Sequence, residues 1–140
     1  MKRIKAFIES TVDELNEAGL SESSDKTATV ADAIMKNDDD ALVISYREST
    51  EGGEVATKIL LSGDTVTVMR SGALESEFVF REGESHISLY KIAPYSFDAE
   101  IRTRRIRGSI TEDGGEMTLI YDMTVGGAAK RVRMRIRVDV

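Results

Sequence analysis

A chain of 140 residues with 41% apolar content is long enough for one domain with its own core, and its lack of cysteine excludes disulfides, thiolate metal sites and cysteine nucleophiles. The formal charge of -6 argues against a general nucleic-acid binder. Neither the opening MKRIKAFIES run nor any later stretch has the apolar length of a signal peptide or membrane helix, so the expectation is a soluble, cytoplasmic, single-domain protein with no membrane partner.

Residues 4–15 satisfy two periods at once. Ile4, Ile8, Val12 and Leu15 fit a helical stripe, whereas Ile4, Ala6, Ile8 and Val12 fit a strand. Residues 13–25 are polar and acidic and read as a loop. Two β-rich runs follow, Thr27 to Met35 and Ala41 to Ser49, joined by Lys36-Asn37-Asp38-Asp39-Asp40, a turn composition. From residue 52 onward, glycine turn signals recur at Gly52-Gly53, Gly63, Gly72, Gly83, Gly114-Gly115 and Gly126-Gly127. The alternating stretches between them predict strands at Glu54 to Leu61, Thr65 to Arg70, Leu74 to Arg81 and Ser85 to Ile92, with Pro94 in a connection. In the long run Ser96 to Ile110 the apolar phase slips from odd Ile101 to even Ile106, which predicts a β-bulge near Thr103 to Arg105.

The last hairpin pairs Glu116 to Val125 with Ala129 to Val140 around Gly126-Gly127. Met117, Leu119, Tyr121, Met123 and Val125 share one face, as do Val132, Met134, Ile136, Val138 and Val140, and these ten residues are expected to point inward. So long a meander must close or leave exposed edges, and the reading is an all-β antiparallel barrel. Counting the N-terminal run gives about ten strands, enough to leave a cavity unless the barrel is flattened.

From Ala41 onward the order of features resembles a family. The residues that carry the likeness are Ile44-Ser45-Tyr46-Arg47-Glu48, Met69-Arg70-Ser71-Gly72, Phe80 followed by Gly83, Tyr90 followed by Pro94-Tyr95, then Thr103, Gly114-Gly115 and Tyr121. Together they resemble the YwiB-like family of small bacterial calycin-type barrels, a domain of unknown function. The resemblance implies a lipocalin-like barrel of about ten strands with residues 4–12 as the first, and it supplies no catalytic residues. Ala93, Ser96 and the acidic insertion at residues 13–25 depart from the family pattern.

Two constellations carry candidate chemistry. In the third strand Leu42, Ile44, Tyr46 and Glu48 share a face, and in the fifth Val66, Val68 and Arg70 do, so Glu48 and Arg70 are expected at a barrel mouth. With hydroxyls from Tyr46, Tyr90 and Tyr121 they could clamp the head group of a small amphipathic or anionic ligand; the alternative is an internal ion pair that fixes register. The second set lies on the outer face, where Arg131, Arg133, Arg135 and Arg137 alternate along the last strand and Arg102, Arg104, Arg105 and Arg107 lie two strands away. Guanidinium forks match planar anions, which suggests a patch for RNA or an acidic protein; the alternative is pairing with Asp122 and Glu9 across strands.

Little else suggests chemistry. His86 is the only histidine, the Asp38-Asp39-Asp40 cluster lacks the spacing of a calcium loop, and Glu75 and Glu77 read as exterior charges. No catalytic motif, cofactor site or metal site is apparent. The leading expectation is a non-enzymatic binding protein, with docking through the arginines second and hydrolase or isomerase activity third.

Overall fold

The computed structural model describes all 140 residues and contains no helix. Ten antiparallel strands run in chain order: β1 Lys2–Leu15, β2 Ser21–Asp38, β3 Ala41–Thr50, β4 Gly53–Ser62, β5 Thr65–Gly72, β6 Ser76–Arg81, β7 Ser85–Ile92, β8 Tyr95–Thr111, β9 Gly114–Val125 and β10 Ala128–Asp139. Each strand pairs with its chain neighbours except at one place. The sheet order is β6-β5-β4-β3-β2-β1-β10-β9-β8-β7, a meander rolled into a nearly closed barrel.

The two helix-compatible turns at the N-terminus are a strand because they have a partner. Lys5 through Glu14 pair with Asp139 through Lys130, joining the first strand to the last. The ladder also runs through most of the segment whose composition suggested a loop: Asp13 pairs with Ser24 and Leu15 with Ser21, so only residues 16–20 turn. That part of β1 and β2 extends past the main core, and main-chain hydrogen bonds hold it without any need for apolar side chains. Likewise the β2–β3 turn shrinks to Asp39-Asp40.

The expected bulge is present, since the register of β8 against β9 shifts between Thr103 and Arg105. Just beyond it Gly108 has φ +85°, and a Cβ there would overlap the Glu116 carbonyl, so this close crossing of β8 and β9 requires glycine. Inward residues form one cluster of 24 that includes Ile44, Ile59, Phe80, Ile101, Leu119 and Ile136, all almost fully buried. The middle of the barrel is therefore packed with side chains, and two of the large open spaces lie at the end that carries the β4–β5 turn and along the β6–β7 seam. Of the ten residues expected inside in the last hairpin, Met123 and Val125 are half-buried against the core, and Val140 lies beyond the ladder and is exposed.

Two breaks in the wall shape the surface. Strands β6 and β7 share no ladder, only a bridge between Glu75 and Lys91 and a 3.3 Å hydrogen bond from the Glu77 N–H to Ser88 Oγ. Their turn instead continues the β7–β8 ladder, with Gly83 N–H donating to the Thr103 carbonyl at 2.9 Å and Thr103 N–H to the Glu84 carbonyl at 3.0 Å. The second break separates β2 from β3. These pair only from Ile34 to Asp38, which leaves Ser21–Ala33 without a β3 partner. No helix is long and apolar enough to cross a membrane.

Candidate functional site

The chain termini and the turns after β2, β4, β6 and β8 lie at one end of the barrel, called here the terminal end. The far end carries the other turns, and the candidate ligand residues gather towards it. Two-residue turns at Glu51-Gly52 and Gly63-Asp64 set the registers of β3 against β4 and β4 against β5. As a result Tyr46 pairs with Thr57, Thr57 with Arg70, and Arg70 with Ser76, forming one inward-facing row across four strands. Beyond Ser76, at the seam, Tyr90 stacks on Phe78 with ring centroids 6.0 Å apart, and Tyr121 packs on Phe80 at 4.6 Å.

The electrostatics of this row are unusual. Arg70 is half-buried and makes neither an ion pair nor a hydrogen bond, and Glu48 faces Thr29 across the β2–β3 gap at 3.4 Å instead. The internal Arg70–Glu48 ion pair considered from sequence is thus not formed. On either side of Arg70, Thr57 and Ser76 are 1% and 7% exposed, and neither hydroxyl has a hydrogen-bond partner. The Thr57 hydroxyl is near enough to Tyr46 to favour its phenolate slightly, yet no hydrogen bond of normal geometry joins them.

Burial raises the Tyr46 hydroxyl above its usual pKa, with the Arg70 charge opposing and the Glu48 charge adding. Burial likewise pushes Tyr121 up to about 12, again opposed by Arg70. One guanidinium therefore makes its charge felt at both tyrosines. It also lines a groove of about 620 Å³ that follows the β6–β7 seam, with Ser76, His86 and the outer apolar side chains Met69, Ile87 and Leu89. The structure thus brings Tyr46, Arg70 and Tyr121 into one neighbourhood, with Glu48 at its edge and Tyr90 across the seam.

Sequence reasoning missed Thr57, Ser76 and His86, whose Nε2 is also buried without a partner. Counting outward from the two short turns would have found Thr57, because it fixes which residues oppose Tyr46 and Arg70.

The outer arginines divide into two groups. Arg104 and Arg131 both bind Asp122, at 2.5 and 2.9 Å; Arg135 binds Glu116; and Arg137 approaches Asp139 at 3.5 Å while lying 4.1 Å above the Phe7 ring. Burial tends to raise the Asp122 carboxyl, but the Arg131 and Arg104 hydrogen bonds outweigh it and hold it below the ordinary aspartate value. Glu9, expected to serve the arginines, is taken by Lys26 at 3.3 Å. Arg102, Arg105, Arg107 and Arg133 make no ion pair. No three acidic or histidine side chains converge to hold a metal ion.

Comparison with known proteins agrees with this architecture. The crystal structure of the ywiB protein from Bacillus subtilis superposes with a TM-score of 0.81 over 98% of this chain and 92% of that one, at 23% identity, a likeness of fold. The uncharacterized beta-barrel protein YwiB of Bacillus subtilis (strain 168) is 35% identical over 83 residues, 59% of this chain; the match spans 58% of that relative's length. A family profile described as "Domain of unknown function (DUF1934)" matches residues 13–136, nearly the whole barrel, and the chain therefore belongs to that family.

Proposed function

We propose that the protein binds a small anionic, amphipathic ligand at the far end of the barrel, against the Tyr46–Thr57–Arg70–Ser76 row. The observation that carries this reading is a half-buried guanidinium without a counter-ion, flanked in its own row by two buried hydroxyls without partners. Leaving a buried hydroxyl unpaired costs about 1–3 kcal/mol; Thr103 carries the same cost elsewhere in the wall, so what distinguishes this row is that its two hydroxyls flank an unpaired guanidinium. A carboxylate or phosphate head group would accept from Arg70, Thr57 and Ser76 together. Its apolar portion would lie along Met69, Ile87 and Leu89 in the seam groove that Arg70 and Ser76 line. Because the barrel middle is packed, such a ligand would be reached through the seam groove and not held in a central chamber. Ligand binding by the barrel suits the lipocalin-like relation suggested by sequence, in the cytoplasm and without catalysis.

The test is a panel of alkyl carboxylates and alkyl phosphates, followed by thermal shift and native mass spectrometry. Arg70→Ala is expected to abolish binding, and Arg70→Lys to weaken it because an ammonium lacks the fork. Thr57→Val separates the roles: it removes an orphan hydroxyl at nearly constant shape, so it should leave the free protein as stable or more stable while weakening the complex. A Thr57→Val protein that is less stable, or one that binds as well as the parent, would count against the site.

A further inference from the structure

The outer arginines point to a second surface, independent of the far-end site. We propose that the outer face of β8, β9 and β10 binds the phosphate backbone of single-stranded nucleic acid through Arg105, Arg107 and Arg133. Asp122 pairs with the neighbouring Arg104 and Arg131, and Glu116 with Arg135, which leaves Arg105, Arg107 and Arg133 on one sheet face without ion-pair partners of their own. Register fixes their arrangement. Arg105 and Arg133 both pair with Ile120 from opposite sides, which puts their backbones about 10 Å apart, and Arg107 stands two residues along β8 from Arg105, about 7 Å away.

This triangle projects from an otherwise acidic protein, so the positive field is local and its reach short at physiological salt. One further feature favours nucleic acid over an acidic peptide. Arg137, on the same strand as Arg133, lies over Phe7 at 4.1 Å and is half exposed, presenting a guanidinium plane on which a base could stack. Exposed Val30 pairs with Phe7 and extends that apolar shelf. An acidic peptide would use the charges but not the platform.

The experiment measures fluorescence anisotropy of a labelled oligo(U) strand titrated with the full chain at several salt concentrations. Three phosphate contacts predict a slope of log K against log salt of about -2. The triple variant Arg105→Glu, Arg107→Glu, Arg133→Glu is expected to lose at least tenfold in affinity, and Phe7→Leu to weaken binding while keeping the slope. Should the triple variant fail to fold, Arg133→Gln with Arg105→Gln gives the same reading with smaller loss. Undiminished binding by the charge variants, displacement of oligo(U) by poly-glutamate at equal charge, or loss of binding in Arg70→Ala would each overturn the proposal.

Discussion

The barrel has two seams, and they are closed by different means. Strands β1 and β10, from opposite ends of the chain, pair main chain to main chain over ten residues. Strands β6 and β7, separated by three residues, share one bridge and one side-chain hydrogen bond and are otherwise held by stacking of Phe78 on Tyr90. Nearness in sequence thus does not decide which strands zip. The β6–β7 turn spends its backbone groups on Thr103 of β8, and that choice leaves the seam beside Arg70 and Ser76 open. A main-chain seam is stiff, whereas a side-chain seam can part without breaking a ladder, and the candidate ligand row ends at the second kind.

The largest effect is expected where the first seam meets the core. Ile136→Ala removes a fully buried side chain on β10 and should cost about 2–5 kcal/mol by chemical denaturation. A much smaller cost would mean that the β1–β10 seam is not the stiff one.

Next comes alkaline pH, acting through Tyr121. Its folded pKa of about 12 lies above the unfolded value near 10, so the folded state keeps a proton that the unfolded chain releases. Stability is full below pH 10 and falls by about 2–3 kcal/mol as pH rises through 12; Tyr121→Phe should flatten that decline in pH-dependent denaturation. Acid works in the opposite sense at Asp122, whose lowered pKa gives stability above the unfolded aspartate value that is lost as pH falls through the folded one. Asp122→Asn should remove this acid dependence.

Across the open seam, a double-mutant cycle of Phe78→Leu and Tyr90→Leu is expected to give a coupling of about 0.5–1.5 kcal/mol, the worth of one aromatic pair. No coupling would leave the seam without its proposed closure. The smallest effect belongs to Leu89→Ala on the outer wall of the seam, half exposed and expected to change stability by at most about 0.5 kcal/mol. Hydrogen exchange sharpens the contrast, with amides in the β1–β10 ladder exchanging more slowly than those on the β7-facing edge of β6.

Much of this was legible beforehand. The slip from Ile101 to Ile106 located the bulge because a strand side chain that changes parity must change face or gain a residue. Glycine turns placed the hairpins, and alternation placed Tyr46 and Arg70 on inner faces. Composition misled at residues 13–25, because polar side chains say nothing about whether the main chain beneath them is paired. It also could not divide the arginines, since every one of them looks alike until Asp122, Glu116 and Glu9 have been allotted among competing cations.

Period and turn chemistry, which are local, determined by themselves that the chain is a meander of about ten strands with an apolar inside and an arginine-rich outside. Periodicity left residues 4–15 open between strand and helix, and only the family resemblance favoured the strand that the β1–β10 ladder forms; the opening of the β6–β7 seam and the absence of a counter-ion for Arg70 were decided only by tertiary structure. Each depends on which distant backbone or carboxylate arrives first at a given group, and that competition takes place in space, between residues whose order along the chain does not reveal their separation.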